Sequence, residues 1–254
     1  MLKLNLTGKI AVVTGSTGQL GRVMARTMAE CGADVALHCL HNLQKGEELA
    51  EEIRSLGRKC IVVQADVGKL DEVLAMAETI GINLGKPDIT VSNAVSNYKW
   101  TTILEQDSSD YTDQFNTCVL QSVHMAKAFV PAMKEKGWGR FIGINTECAM
   151  QNFATQSAYS AAKRGMDGIY RVLAKEIGAF GITVNQVAPG WTISDRDREQ
   201  GTEIDENYSR TVPLRRRGTD QEIANVVAFL ASDLSSFITG AYIPVSGGNV
   251  MPGI

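Results

Sequence analysis

No stretch of this 254-residue sequence approaches the run of about 18 apolar residues that a membrane-spanning helix needs. Its start, Met1 to Lys9, runs into a strand pattern without a charged leader, an apolar core or a cleavage site, so neither export nor membrane insertion is expected. Basic residues are not in excess. The 25 Lys and Arg face 28 Asp and Glu for a formal charge of -3, which argues against nucleic acid as a partner. Cysteine is sparse and unpatterned: Cys31, Cys39, Cys60, Cys118 and Cys148 form no CxxC and no metal-ligand spacing, and their odd number fits a reduced, cytoplasmic setting. Cys39 lies near His38 and His41, but without a distant fourth ligand the trio reads as a strand end and its loop, and no metal is expected. Repeats, low-complexity tracts and Pro- or Ser-rich linkers are also missing, so one domain spanning 1–254 is the simplest organisation.

Apolar residues make up 44% of the chain and charged residues 21%, enough to bury a large core. Short β-branched runs at 10–14, 34–39, 60–64, 88–92, 140–145 and 182–188 alternate with helical patterns at 20–30, 44–56, 70–80, 111–136 and 158–178. A last helix over 220–231 leads to a strand near 241–245. The alternation predicts βαβ units, and hence an α/β fold with a doubly wound parallel sheet of about seven strands and helices on both faces. Several helices are expected to end at a glycine in the left-handed conformation. The stretch 190–217 is long, polar and without clear periodicity, which makes it a candidate substrate lid.

Between the first strand and the first helix lies Thr14-Gly15-Ser16-Thr17-Gly18-Gln19-Leu20-Gly21. Glycines at such a turn allow close approach, so the backbone around Gly15, Thr17, Gly18, Gln19, Leu20 and Gly21 can hold a pyrophosphate against the helix N-terminus. Farther on, Tyr159 and Lys163 stand four residues apart near the start of a helix, which puts a phenol and an ammonium on one face. Carbonyl reduction needs an acid at the oxygen, and alcohol oxidation needs the same group as base. A phenol next to positive charge suits both if its ionisation is eased toward working pH.

Taken in order, these marks resemble the short-chain dehydrogenase/reductase family, in particular its compact 3-oxoacyl-(acyl carrier protein) reductases and sugar or polyol dehydrogenases, over nearly the whole chain. The resemblance implies a single-domain Rossmann fold, a nicotinamide dinucleotide as cofactor, a small carbonyl or alcohol as substrate and a homo-oligomer, a tetramer in the family pattern. It implies catalytic roles for Tyr159 and Lys163, for Thr146 where a serine is usual, and for Asn116 in proton relay. Lys163 would also hold the nicotinamide ribose. It further implies that Asp66 and Val67 touch adenine, that Asn93 and Ala94 border the cofactor, and that Pro189, Gly190 and Thr192 pack on the carboxamide. The chain departs from the compact pattern TGxxxGxG by placing Gln19 at the middle glycine, and from NNAG by keeping only Asn93-Ala94. These departures, with Thr146, keep open a binding or regulatory protein on the same fold, although Tyr159, Lys163 and Asn116 favour an enzyme. Ser96, Asn97, Tyr98, Trp100, Glu147, Cys148, Met150, Asn152, Phe153, Gln156 and Trp191 flank the motifs on the expected substrate side. Lys134, Lys136 and Lys175 offer a basic surface for an acidic carrier, or simply solvated faces. At the tip of the second strand, where NAD-selective members carry an acid, there is none, and His38, His41, Asn42 and, farther on, Lys45 could accept a 2′-phosphate, so NADP(H) is expected over NAD(H).

Overall fold

The computed structural model describes residues 4–253, so Met1 to Lys3 and Ile254, the ends of the expected 1–254 domain, lie outside the described residues. Seven strands form one sheet, all parallel, in the order β3-β2-β1-β4-β5-β6-β7. They are β1 (Ile10–Val13), β2 (Asp34–Cys39), β3 (Cys60–Gln64), β4 (Ile89–Ser92), β5 (Gly139–Ile144), β6 (Ile182–Pro189) and β7 (Tyr242–Val245). Each agrees with its expected range to within one or two residues. The chain reverses its winding between β1 and β4, whose register pairs Ala11 with Ile89 and Val13 with Val91. The carboxyl ends of strands at such a switch point leave a crevice that no connection covers.

Period-two alternation in the strands feeds two cores. Ala11 and Val13 pack with Met24 and Met28 of α1 (Gln19–Glu30), with Leu49 and Ile53 of α2 (Leu43–Ser55) and with Ile223 and Val227 of α10 (Asp220–Ala231). Val12 points the other way, toward Val73 and Met76 of α3 (Leu70–Asn83), Phe129 and Met133 of α5 (Gln121–Lys136), and Met166 and Tyr170 of α7 (Ser157–Ile177). Both sheet faces are therefore covered, as near-continuous apolar strands require.

Three expectations need correction. The helix expected over 111–136 is interrupted: α4 (Ser108–Phe115) passes into a π-helical segment, Asn116–Leu120, before α5 begins. Such a turn keeps the apolar spacing nearly continuous, so sequence periodicity does not reveal it. Gly178 does not cap α7 in the left-handed region, having φ -57°. A 3-10 turn follows and the left-handed residue is Gly181, at φ 72°. The stretch 190–217 contains two short helices, α8 (Asp195–Gln200) and α9 (Glu206–Thr211), begun by side-chain caps from Ser194 and Asp205. Six-residue helices are too short to show a period.

α7 lies close against β5 because Gly143 has no side chain. A Cβ there would stand 2.5 Å from Cζ of Tyr170. The packing brings the N-terminal turn of α7 beside the carboxyl end of β5, where α6 (Cys148–Gln151) begins.

Candidate active site

The turn after β1 is held by hydrogen bonds from three other elements. Asn93 Nδ2 donates to the carbonyls of Thr14 (2.9 Å) and Gly15 (3.3 Å). Thr14 Oγ1 accepts from the backbone N–H groups of Asn93 and Ala94 and donates to Gln121 Oε1 at 2.6 Å. His38, only 1% exposed, accepts the Gly15 N–H on Nδ1 (3.1 Å) and contacts the Ala65 carbonyl through Nε2 (2.8 Å). That pairing fixes the neutral tautomer with the proton on Nε2. Burial pushes its pKa down, against the pull of the Ala65 carbonyl and the Asp66 charge. His38 is thus a support for the turn, not the phosphate ligand its position suggested.

Gly15 sits at φ +63°, and a Cβ on it would stand 3.0 Å from Ala94 Cα. At Gly21 a Cβ would stand 2.8 Å from Ser16 Cα, so this glycine lets α1 pack onto the turn. The result is a cleft of about 690 Å³ lined by Gly15, Thr17, Gly18, Gln19, Leu20, Gly21, His38, Asp66, Val67, Asn93 and Ala94 among others. It runs from the turn after β1 past the tips of β2 and β3. Gln19 does not fill it: its Nε2 bonds the Ile193 carbonyl and reaches Asp220 Oδ2 at 3.3 Å. The side chain is aimed at the neighbouring segment, which accommodates the missing glycine. Asp66 turns its own loop by accepting from Gly68 N at 2.9 Å.

A second cavity of about 460 Å³ adjoins the first and shares Leu20, Asn93 and Val95 with it. Thr146, Tyr159, Lys163, Pro189, Gly190 and Thr192 line it together. Lys163, 3% exposed, donates from Nζ to the Ile144 carbonyl at 2.6 Å and lies 5.6 Å from the centre of the Tyr159 ring. Thr146 Oγ1 accepts from Cys148 N at 3.2 Å. Burial pushes the Tyr159 phenol well above its ordinary pKa, with the nearby Cys118 and Cys148 adding to the rise and the Thr146 hydroxyl opposing it. Burial thus favours the neutral phenol, so any easing toward phenolate must come from positive charge beside the ring.

Asn116 lines neither cavity. It opens the π segment, and its main-chain carbonyl accepts from Gln121 N. Of the flanking residues, Trp100, Glu147, Cys148, Phe153, Gln156 and Trp191 line the second cavity, whereas Ser96 and Asn97 line the dinucleotide cleft and Asn152 faces a separate groove. The Tyr98 ring stands 6.2 Å from that of Tyr159. Tyr208 of α9 and Val95 also line the second cavity; no motif marked Tyr208, and Val95 stands at the last position of the segment compared with NNAG. Lys136 is engaged with Asp88 at 2.8 Å, and Lys134 lies over the Phe180 ring.

Among the described residues no helix is long and apolar enough to cross a membrane, and no group of three or more His, Cys, Asp and Glu side chains could hold a metal ion.

A dinucleotide cleft continuous with a cavity holding a tyrosine, a lysine and a hydroxyl defines a nicotinamide-dependent oxidoreductase. A family model described as enoyl-(acyl carrier protein) reductase matches residues 16–249, and the chain belongs to the short-chain dehydrogenase/reductase family. It is 35% identical over 248 residues to a 3-oxoacyl-(acyl carrier protein) reductase of Pseudomonas aeruginosa, spanning 98% of this chain and 100% of that one. It is also similar to nodulation protein G of Azospirillum brasilense, at 32% identity over 96% of this chain and 98% of the relative. Among solved structures, L-sorbose reductase from Gluconobacter frateurii with NADPH and L-sorbose superposes with a TM-score of 0.90 at 25% identity, covering 99% of this chain and 100% of that one. A 7α-hydroxysteroid dehydrogenase with NADH and a 7-oxo bile acid gives 0.88 at 28% identity, over 98% and 97% of the two chains. The protein is an NAD(P)-dependent enzyme that interconverts a carbonyl and an alcohol of a small molecule. No observation favours the binding-only alternative.

Proposed function

We propose that Tyr159 is the general acid and base of this reaction, that Thr146 hydrogen-bonds the substrate oxygen, and that Lys163 supplies the positive charge that stabilises developing phenolate. The observation that carries this reading is the convergence of Tyr159, Thr146 and Lys163 on one cavity that opens into the dinucleotide cleft. A nicotinamide held in the cleft would supply or accept hydride at the substrate carbon. In reduction the Tyr159 O–H bond breaks as the new alcohol O–H forms, and Lys163 steadies the phenolate left behind. Lys163 gives up its Ile144 carbonyl bond, or shares it, to face the ribose. Asn116 serves the relay through the unwound backbone of the π segment rather than by lining the cavity. Gly15, Thr17, Gly18, Gln19, Leu20 and Gly21 would hold the pyrophosphate, Asp66 and Val67 the adenine, Asn93 and Ala94 the inner ribose wall, and Pro189, Gly190 and Thr192 the carboxamide.

The tip of β2 supports a preference for NADP(H). Leu40, His41 and Asn42 are exposed there and no carboxylate is among them. An acid at this tip would repel a 2′-phosphate. With His38 committed to the turn, His41, Asn42 and Lys45 remain for that phosphate. The segment 190–217 serves as the lid of one domain spanning 1–254, and the groove between α5 and α7, lined by Val130, Pro131, Ile169, Val172 and Leu173, is where a second copy would pack in a homotetramer. Five free thiols suit a reducing, cytoplasmic location.

Turnover of a ketone panel by the wild type and by Tyr159→Phe tests the central reading. Loss of about 10²- to 10⁴-fold in kcat with cofactor affinity retained is expected, and retention of more than about a third of the turnover overturns it. Dissociation constants for NADPH and NADH on one preparation test the cofactor preference, and light scattering tests the tetramer.

A further inference from the structure

Glu147 follows Thr146 directly and is only 3% exposed, yet none of the described residues pairs it with a cation. A buried carboxylate costs stability unless hydrogen bonds or a partner offset the lost hydration. Two neutral donors do part of this: Tyr208 Oη donates to Oε1 at 2.9 Å and Asn249 Nδ2 to Oε2 at 3.0 Å. Each carboxylate oxygen can accept more than one hydrogen bond, so acceptor capacity remains where Glu147 lines the substrate cavity. Burial pushes its pKa up, and the bonds from Asn249 and Tyr208 act against that rise.

An independent observation lies in the same cavity. Gln156 is 6% exposed, and its Oε1 has no hydrogen-bond partner although it is shielded from solvent. Unsatisfied buried amide groups are rare and mark strain or a missing partner. The rim around these two acceptors is aromatic, with Trp100, Phe153 and Trp191 each about half exposed.

We infer that Glu147 and Gln156 recognise hydroxyl groups flanking the reacting carbon, so that the substrate is an uncharged polyhydroxy ketone or the corresponding polyol. A hydroxyl donates to Glu147, a second one satisfies Gln156, and the aromatic rim covers the C–H face of the carbon chain. A substrate carboxylate or phosphate next to the carbonyl would face the Glu147 charge and is disfavoured. A plain ketone would leave Gln156 Oε1 without a donor and the spare acceptor capacity of Glu147 unused, the circumstance in which sites reject an analogue most strongly. The proposal rests on the Tyr159-centred site and adds its substrate class.

The test uses full-length enzyme with its preferred dinucleotide and three four-carbon probes: 1,3,4-trihydroxy-2-butanone, 2-butanone and 4-amino-2-butanone. The wild type is expected to favour the trihydroxy ketone over 2-butanone by at least about 10²-fold in kcat/KM. Glu147→Gln and Gln156→Leu should each shrink that ratio about tenfold or more, with the change in KM rather than kcat. Calorimetry on enzyme loaded with the oxidised dinucleotide should show erythritol binding and no binding of 2-butanol. Melting temperature and dinucleotide affinity check that each variant folds, and Gln156→Leu carries the test if Glu147→Gln does not. A ratio near one, a ratio unchanged in both variants, preference for the amino ketone, or failure of both trihydroxy ketone and erythritol to bind overturns the proposal. Tyr159→Phe separates the two levels. If it abolishes turnover of every accepted probe while the ratio fails, the site stands and only the substrate class falls; if it stays active, the underlying site is wrong.

Discussion

His38 Nδ1 accepts the backbone N–H of Gly15 at 3.1 Å, so the end of β2 holds the phosphate turn that follows β1. A leucine at 38 keeps the volume but leaves the Gly15 N–H and the Ala65 carbonyl without their partner. An unsatisfied buried donor costs about 1–3 kcal/mol. His38→Leu is expected to lower the melting temperature and weaken dinucleotide binding about tenfold, with little change in kcat at saturation. Fluorescence titration with NADPH checks this, and unchanged affinity would show that the turn holds its shape without the imidazole.

The same contact sets a pH dependence. Folding keeps His38 neutral and lowers its pKa below the ordinary value. The unfolded chain therefore binds a proton that the folded chain refuses as pH falls through the usual histidine range of about 6.5. Stability from this group is full above that range and declines below it. Melting temperatures at pH 5 and 7.5 should fall farther for the wild type than for His38→Leu. Equal slopes would mean that the imidazole takes up its proton in place.

Tyr159 enters the reaction as a neutral phenol, its pKa raised chiefly by burial. Reduction starts from the protonated acid with an uncharged reduced nicotinamide, so its kcat should stay level from about pH 6 to about pH 9, below the ordinary phenol pKa of about 10. Oxidation needs the phenolate and should rise with pH over the same interval. Paired pH profiles with one alcohol and ketone couple decide the matter, and a reduction rate falling away near neutrality would contradict it.

Gln19→Gly restores the family glycine but removes the link from α1 to the Ile193 carbonyl and Asp220. Glycine also costs about 0.5–1 kcal/mol in a helix. The expected result is a lower melting temperature and faster deuterium uptake at 193–200, because the start of the 190–217 segment loses a tether. Uptake equal to that of the wild type would show that the salt bridges Arg22–Asp195 and Arg217–Asp197, each 2.7 Å, suffice to hold it.

Gly143→Ala tests how α7 positions the tyrosine. The added Cβ meets the Tyr170 ring, and overpacking of this kind costs about 1–3 kcal/mol. Stability should fall, and kcat should fall with it as α7 moves off β5. A drop in melting temperature with full kcat would show that the α7 N-terminus is placed by other contacts.

Strands and long helices were legible because burial on two faces imposes spacing that composition reveals. The Gly-rich turn and the Tyr159–Lys163 pair were legible because each is local, its residues lying within a few positions of one another in the chain. His38 was misread for the opposite reason. Position at the tip of β2 says that a side chain is near the expected adenosine site, but only the packing of Gly15 and Ala65 around the ring shows that both nitrogens are taken. Tyr208 was missed because it reaches the cavity from a six-residue helix, and its bond to Glu147 spans 61 residues of sequence.

The π segment at Asn116–Leu120 sets helical phase. It inserts one residue into a turn, so α4 is rotated about the axis by roughly 100° relative to where an unbroken α-helix leading into α5 would put it. Tyr111, bonded to Ser157 at 2.6 Å, and Gln114, bonded to Ser96, both depend on that rotation. Removing a single residue between 116 and 120 would regularise the helix and swing both side chains off their partners, detaching the 93–107 loop from the helix that carries Tyr159. A one-residue deletion here would thus act at a distance as a change of angle, while a substitution at the same positions would leave the angle intact.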